Sequence, residues 1–213
     1  MFASLLRMTT KYGFTDVRDQ LTKDLKDAYP TEWERYQTVG VLGEDVFGSP
    51  KPNPNAVLGL FEAQNVRFAI PLAAYRASLG GFSSLMSDES GVVLSRRILA
   101  STIYSMERTR ELMIRAAHAI AYKEKLLSVC PDGVQCVLNV GIRPMGRRME
   151  ALKKLYDAMI GERGGGVLSS PSLGDLTCAK CTREIETSHS AWRRVCWEVL
   201  LATFSATESR AGV

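Results

Sequence analysis

The sequence predicts an all-α fold, an irregular bundle of about seven to nine helices joined by loops rich in proline and glycine. Apolar residues recur three and four positions apart over most of the chain, which is the period of a helix buried on one side. Alternation at period two is nearly absent, and β-branched clusters such as residues 91–94 are too short for a sheet. With 46% hydrophobic residues among 213, the chain can bury a core, and we expect one helical domain over residues 1–213.

The N-terminal part, residues 1–37, predicts a helix pair with a tight corner. Apolar residues at helical spacing run through residues 2–12, stop at Gly13, and resume through residues 17–25. Pro30 then ends the second helix, because proline lacks the backbone N–H that a helix interior needs.

A third, short helix is expected to begin at Thr31. Thr31 and Glu34 stand three residues apart, the pattern of a capping box in which each side chain satisfies the other residue's backbone N–H. Residues 40–55 hold three glycines and three prolines and predict a loop. Helical spacing returns in residues 57–64 and in residues 71–79, where proline suits a first helical turn.

From residue 54 onward the pattern predicts a helical core that also holds the paired cysteines. The longest candidate covers residues 95–127 and forms one long helix or two. A further helix is expected over residues 147–159, before the glycines of 161–166, and a last one over residues 178–204. Ile185, Trp192, Cys196, Val199 and Leu200 are expected on the inner side of that last helix.

Four of the five cysteines form two pairs, Cys130 with Cys136 and Cys178 with Cys181. Four thiolates from two loops suit a tetrahedral structural zinc ion, which leaves no open position for chemistry. Cys178 and Cys181 form a CxxC motif, which is the more specific signal for a metal site because its tight turn lets both sulfurs reach one ion. Cys130 and Cys136 are separated by five residues, which is a less specific spacing. The sequence therefore predicts one structural zinc ion and no other cofactor, with ordinary thiols as the alternative.

Thiol–disulfide exchange is a rival interpretation of the CxxC pair, because a helix N-terminus can lower the pKa of a thiol. No βαβ pattern surrounds Cys178, and exchange would leave the other pair unexplained, so we do not favour it. Cys196 is expected to be a buried small hydrophobic residue. His118 and His189 are expected to be packed or half-exposed helix residues, and His189 stays open as a substitute zinc ligand.

No motif for a catalytic site is found. The chain has no nucleophile elbow, Walker loop or dinucleotide fingerprint, and Gly164–Gly166 is expected to be a linker because it follows a helix. We therefore expect neither enzymatic activity nor a small-molecule substrate. The net charge of +4 is mild, and acidic residues interrupt the basic groups, so nucleic acid is not the expected partner. These basic groups are Arg96–Arg97, Arg143, Arg147–Arg148, Lys153–Lys154 and Arg193–Arg194.

Residues 1–11 lack the segment order of a signal peptide, and the apolar stretch 68–75 is shorter than a membrane span. Five cysteines in a chain of this size do not need to form disulfides, which favours a reducing compartment. We expect a cytoplasmic or nuclear protein with no membrane partner.

Three stretches together resemble the helical region that follows the BTB domain in BTB/POZ proteins of mushroom-forming fungi. The first, residues 5–18, resembles the helix pair just after that domain, and the second is Pro71–Leu79 (PLAAYRASL). The third combines Cys178–Cys181 with the closing Arg193–Leu200 helix (RRVCWEVL). Leu201 stands where that closing motif often has proline, which would let the last helix run on toward Phe204.

The resemblance implies a protein-interaction role in which a helical module presents a client to a ubiquitin ligase or a transcription complex. Met1 falls where the BTB domain of such a protein would already have ended, so dimerisation and cullin docking are not carried over. An exposed apolar patch near Leu5 and Leu6, visible as self-association, is expected if a domain packs there. The loop Ser49–Pro54 and the arginines near Arg147 are further candidate surfaces.

We therefore expect a non-catalytic protein-interaction or adaptor module whose partners are other proteins. The alternative is a zinc-stabilised nucleic-acid or chromatin-binding domain, for which a salt-sensitive shift with DNA or RNA would be diagnostic. An enzyme of unrecognised type is the third hypothesis.

Overall fold

The computed structural model describes residues 2–39, 53–86, 93–121, 145–160, 168, 171 and 179–209. Within these ranges the chain is all-α, without a strand, which confirms the predicted fold class. A 3₁₀ turn, Arg67–Ala69, joins the fourth and fifth helices. The nine α-helices of the described residues are α1 Phe2–Tyr12, α2 Thr15–Ala28, α3 Trp33–Val39, α4 Pro54–Ala63, α5 Ile70–Ser78, α6 Gly81–Met86, α7 Arg96–Ala121, α8 Met145–Ile160 and α9 Ala179–Ser209.

The helix boundaries agree with the sequence pattern at most positions. The pattern over residues 95–127 is a single helix, α7, as far as Ala121. Helix α9 continues to Ser209, beyond Phe204, because Leu201 keeps the backbone N–H that proline would remove. Helix α3 begins at Trp33, two residues later than the capping-box pattern predicts. No helix in the described ranges has the length and apolar character of a membrane span.

The chain divides into two compact units. The first comprises residues 1–106 and 200–213, and the second comprises residues 107–199. Both boundaries between them fall inside long helices, α7 and α9. The expectation of one domain over residues 1–213, with a helix pair at 1–37 and a core at 54–213, stays a prediction.

The core of the first unit forms around α2, α4 and α5. Leu25, Leu58 and Phe61 are almost completely buried. The ring of Tyr29, which follows α2, meets Phe61 edge-on with centroids 4.9 Å apart, a preferred aromatic geometry. The Arg76 guanidinium lies over the same Tyr29 ring, 4.5 Å from its centre. It also donates a hydrogen bond to the backbone carbonyl of Ala28. Helix α5 is thereby tied to the end of α2.

The start of α4 shows how local chemistry sets the fold of this unit. Asn53 caps the helix, because its side-chain oxygen accepts a hydrogen bond from the backbone N–H of Asn55, and Pro54 occupies the first turn. The buried Asn55 amide donates to the carbonyl of Ser84 at 2.6 Å. This bond connects α4 with α6, two helices that are far apart in sequence.

Helix α7 carries buried hydroxyl groups that are satisfied within the helix. Thr102 donates to the carbonyl of Ile98 at 2.7 Å, and Ser105 donates to the carbonyl of Thr102 at 3.0 Å. Because each of these hydroxyls donates to a carbonyl of its own helix, both can be buried without the free-energy cost of an unsatisfied polar group.

In the second unit, α9 contributes its buried face to the core. Ile185 and Cys196 are fully buried, as predicted. Leu200, which belongs to the first unit, is also buried, at 1% exposed. Trp192 is only half-buried, however, and the fully buried tryptophan of this helix is Trp197. The helical spacing alone put Trp192 inside because it stands four residues before Cys196, but the neighbouring elements cover Trp197 more completely.

Candidate functional site

The predicted zinc site falls mostly outside the described residues. Cys130, Cys136 and Cys178 lie there, whereas Cys181 is in the first turn of α9 and is 1% exposed. Among the described residues, no group of three or more potential ligands lies close enough together to hold a metal ion. Burial of Cys181 suits a closed structural site as well as an ordinary core thiol. The zinc ion stays a prediction.

Cys196 is a core residue, as the sequence predicts. It is fully buried, and its sulfur donates a long hydrogen bond, 3.9 Å, to the carbonyl of Thr109. Burial raises the pKa of this thiol to about 12, since the thiolate would lose its hydration. A thiol with so high a pKa does not act as a nucleophile at neutral pH.

His189 is a fully buried histidine, which confirms that it is packed. Its Nε2 lies 3.0 Å from the carbonyl oxygen of Met159, so the neutral ring donates from that nitrogen. Among the described residues, Nδ1 has no hydrogen-bond partner. Burial, and then the positive charge of Arg193, lower the pKa of His189 to about 4. His118, by contrast, lies exposed on α7.

Several basic side chains form ion pairs with acidic residues of their own helices. Arg108 and Arg115 both contact Glu111, at 2.6 and 2.5 Å, and the hydrogen bond from Arg108 is the main reason that the pKa of Glu111 is lowered. Lys154 pairs in the same way with Glu150, one turn away. These local partners compete with phosphate for the basic groups.

A cleft of about 230 Å³ opens beside the end of α2 and the start of α3. Its charged lining groups are Lys26, Glu32 and Arg35, which carry both signs. Arg35 is already paired with Asp27, and the Lys26 ammonium lies 5.9 Å from the centre of the Phe68 ring. The cleft is smaller than the roughly 300–1,000 Å³ typical of ligand sites, and it holds no arrangement of groups suited to catalysis.

The clearest candidate for an interaction surface is the corner between α1 and α2. Five large apolar side chains lie exposed there, and we call them the apolar corner. They are Leu5 (37% exposed), Met8 (49%), Tyr12 (58%), Phe14 (55%) and Val17 (46%).

The sequence explains why these residues share one surface. Leu5, Met8 and Tyr12 stand three and four residues apart and therefore form one stripe along α1. Gly13 makes the turn with a φ of +69°, a conformation that glycine adopts without strain. The rings of Tyr12 and Phe14 consequently lie close together, with centroids 6.2 Å apart.

On α2 the apolar face extends past the core into this corner. Leu21 and Leu25 are buried, and Val17, one turn before Leu21, stands on the same side of the helix but is 46% exposed. The first turn of α2 therefore presents an apolar side chain that is only partly covered.

Charged residues of both signs lie exposed on the two helices of the apolar corner. Arg7 and Lys11 are exposed on α1, and Asp16, Arg18 and Asp19 are exposed at the start of α2. The Lys11 ammonium lies 5.4 Å from the centre of the Tyr12 ring, at the edge of the apolar surface.

The sequence analysis found only part of this surface. It placed an exposed patch near Leu5, which is confirmed, and the side chain of Leu6 lies outside the described ones. It did not single out Tyr12 and Val17, because helical periodicity identifies the apolar side of a helix but not whether that side is covered. The remaining candidate surfaces lie outside as well, since residues 40–52 and the side chains around Arg147 are not among the described ones.

The chain matches no protein-family model, no curated protein and no solved structure. The resemblance to the helical region after a fungal BTB domain therefore stays a prediction. The functional argument consequently depends on the residues of the chain itself.

Proposed function

We propose that this chain is a non-catalytic protein-interaction module that docks through the apolar corner. The observation that carries the proposal is the exposure of five large apolar side chains along α1 and at the α1–α2 turn, where the rings of Tyr12 and Phe14 lie close together. Single exposed apolar residues are ordinary, but a cluster rimmed by charges is typical of a binding surface.

The composition of the apolar corner suits a protein partner. Aromatic residues and methionine are enriched at the centres of protein interfaces, and Tyr12, Phe14 and Met8 supply both kinds. Aromatic anchors often contribute most of the binding energy, while surrounding polar residues exclude water. The Lys11 ammonium, 5.4 Å from the centre of the Tyr12 ring, lies at that edge of the corner.

The adaptor role follows from the resemblance to the region after a BTB domain. Such a module would present a client protein to a ubiquitin ligase or a transcription complex, in the cytoplasm or the nucleus. The proposal of a non-catalytic role is supported by the packing functions of His189 and Cys196, whose shifted pKa values follow from burial. The alternative of zinc-stabilised nucleic-acid binding has no comparable support, since Arg108, Arg115 and other basic residues are paired locally.

Site-specific photo-cross-linking tests this proposal. Benzoylphenylalanine placed at Tyr12 should form a discrete adduct with a partner, whereas the same group at Tyr104 should not. Tyr104 is the matched control because it is also an exposed helical tyrosine, at 61%. The partner, identified by mass spectrometry and purified, should bind the wild-type chain and lose affinity for a Met8→Glu/Phe14→Glu variant.

The outcome contradicts the proposal if Tyr12 gives no adduct, or if Tyr104 gives the same adducts in equal yield. The variant must retain the helical circular dichroism and melting temperature of the wild type. A docking surface is dispensable for folding, whereas a surface that packs within the chain is not.

A further inference from the structure

The cleft beside the end of α2 has a floor that contacts within the chain hold in place. Tyr29 and Pro30, which form part of its lining, are both buried. The Tyr29 ring meets Phe61 edge-on at 4.9 Å between centroids, and the Arg76 guanidinium lies 4.5 Å from its centre. Because the chain itself fixes this floor, a ligand does not have to order it on binding.

Two of the three charged side chains that line the cleft are available to a ligand. Arg35, the third, already forms an ion pair with Asp27. The Lys26 ammonium lies 5.9 Å from the centre of the Phe68 ring, another lining residue, and pairs with no carboxylate of the described residues. Within the same part of the chain, the Glu32 side chain forms no ion pair either. The cleft therefore offers one cation and one carboxylate that do not neutralise each other.

These two charges indicate the class of ligand that suits the cleft. A simple anion would be attracted by Lys26 and repelled by Glu32, and a simple cation would meet the opposite situation. A molecule with both a carboxylate and an ammonium group gains from both side chains. The volume of 230 Å³ equals that of about eight water molecules in the liquid, so the ligand must be small.

We propose that this cleft binds a free α-amino acid with an apolar side chain of about the size of leucine. The ligand's carboxylate pairs with the Lys26 ammonium, and its ammonium group pairs with the Glu32 carboxylate. Its side chain packs against Pro30 and the half-buried Phe68 ring. The site lies at the end of α2 opposite the apolar corner, so the inference does not depend on the proposed function.

A titration of the ¹⁵N-labelled chain with leucine, followed by amide chemical shifts, is the first measurement. The signals of Thr31, Glu32 and Phe68 should move along one saturating curve. Because both charged side chains are exposed and screened by solvent, we expect a dissociation constant in the range of about 0.1 to 10 mM. The inference is overturned if these signals show no saturable shift across that range.

Two fragments of leucine test the two charges separately. The first, 4-methylpentanoate, lacks the ammonium group, and the second, 3-methylbutylamine, lacks the carboxylate. Each should bind at least about tenfold more weakly than leucine, because it loses one ion pair and brings its remaining charge near a side chain of the same sign. If either fragment binds as tightly as leucine, the cleft does not recognise a zwitterion and the inference is wrong.

Substitutions then assign the two contacts. Lys26→Gln and Glu32→Gln should each weaken leucine binding at least about tenfold. The matched controls are Lys23→Gln and Glu34→Gln, which remove the same charges from exposed residues outside the cleft lining and should bind leucine like the wild type.

A change of preference distinguishes direct recognition from a structural effect. Glu32→Gln should no longer favour leucine over 4-methylpentanoate, since the repulsion of a simple anion is gone, whereas a merely distorted cleft would weaken both ligands alike. All variants should retain the wild-type helical circular dichroism. Wild-type leucine affinity in Lys26→Gln or Glu32→Gln, or an unchanged preference in Glu32→Gln, would contradict the proposed contacts.

Discussion

Two regions of the molecule carry the same helical pattern of apolar residues with opposite results. On α9, Cys181, Ile185 and Cys196 lie on a side that is fully buried. On α1, Leu5 and Tyr12 follow the same period and are 37% and 58% exposed. The pattern therefore determines which side of a helix is apolar, while neighbouring elements determine whether that side is covered. An uncovered stripe is the one available for a partner.

The largest expected effect concerns Cys181 at the start of the buried side of α9. If Cys130, Cys136, Cys178 and Cys181 bind zinc, a Cys178→Ser/Cys181→Ser variant should lose one equivalent of zinc and unfold at a lower temperature, since metal binding is part of the folding free energy. The loss of stability should exceed about 3 kcal/mol. Metal content by mass spectrometry and thermal unfolding, on protein purified without chelator, provide the measurement.

Cys196→Ser is the control, because Cys196 is equally buried but lies outside the predicted zinc site. It should lose some stability and no zinc. A wild type without metal, or a double variant with wild-type stability, would exclude the structural zinc ion.

Trp197 tests the buried side by truncation. Trp197→Ala should cost about 3 to 5 kcal/mol of unfolding free energy, because the side chain is only 2% exposed and its removal leaves a cavity. Trp192→Ala should cost clearly less, since that residue is half-buried. Urea unfolding measures both values, and equal losses would show that the two tryptophans are covered alike.

His189 makes the stability of the buried side depend on pH. Its pKa is about 4 in the folded protein against 6.5 for an ordinary histidine, so the unfolded chain takes up the proton first as the pH falls. The stability contribution is complete above pH 6.5 and is lost as the pH falls toward 4. Between pH 7 and pH 5 the loss should be about 2 kcal/mol.

The comparison with wild type uses His189→Gln, in which the side-chain amide can still donate to Met159, and His118→Gln as the exposed control. Urea unfolding at pH 7 and pH 5 should show that His189→Gln removes this part of the pH dependence and that His118→Gln leaves it intact. An unchanged pH dependence in His189→Gln would mean that the buried imidazole does not govern acid sensitivity.

The smallest effect on stability is expected at the apolar corner. Met8→Ser and Phe14→Ser should each change the unfolding free energy of the monomer by no more than about 0.5 kcal/mol, because both side chains are already about half exposed. Thermal unfolding at low protein concentration measures this. A loss comparable with that of Trp197→Ala would show that the corner packs within the chain and would remove the contrast between the two regions.

The fold was largely predictable from local patterns, and the errors have physical causes. Proline and glycine positions placed the ends of most helices, since they restrict or free the backbone at single residues. The capping-box pattern at Thr31 and Glu34 predicted a start two residues before the real one at Trp33. The sequence pattern assigned Trp192 to the core, but the buried tryptophan is Trp197. Helical spacing alone does not determine which of two nearby large residues the neighbouring elements will cover.

The candidate site was predictable only in part. An exposed patch near Leu5 followed from the resemblance to a region that packs against another domain. Tyr12, Phe14 and Val17 did not follow, because the same spacing occurs on covered helices such as α9. The cysteine pairs remain the sequence-based hypothesis for zinc, with Cys181 the one member among the described residues.

The sequence by itself determined the all-α fold class, the turn at Gly13 and the apolar side of each helix, because these depend on residues within a few positions of one another. Only the tertiary structure decided that His189 is buried against Met159 while Val17 and Tyr12 stay in contact with solvent. Covering an apolar side requires contacts between residues far apart in the chain, and a local pattern contains no information about whether a distant segment will reach it.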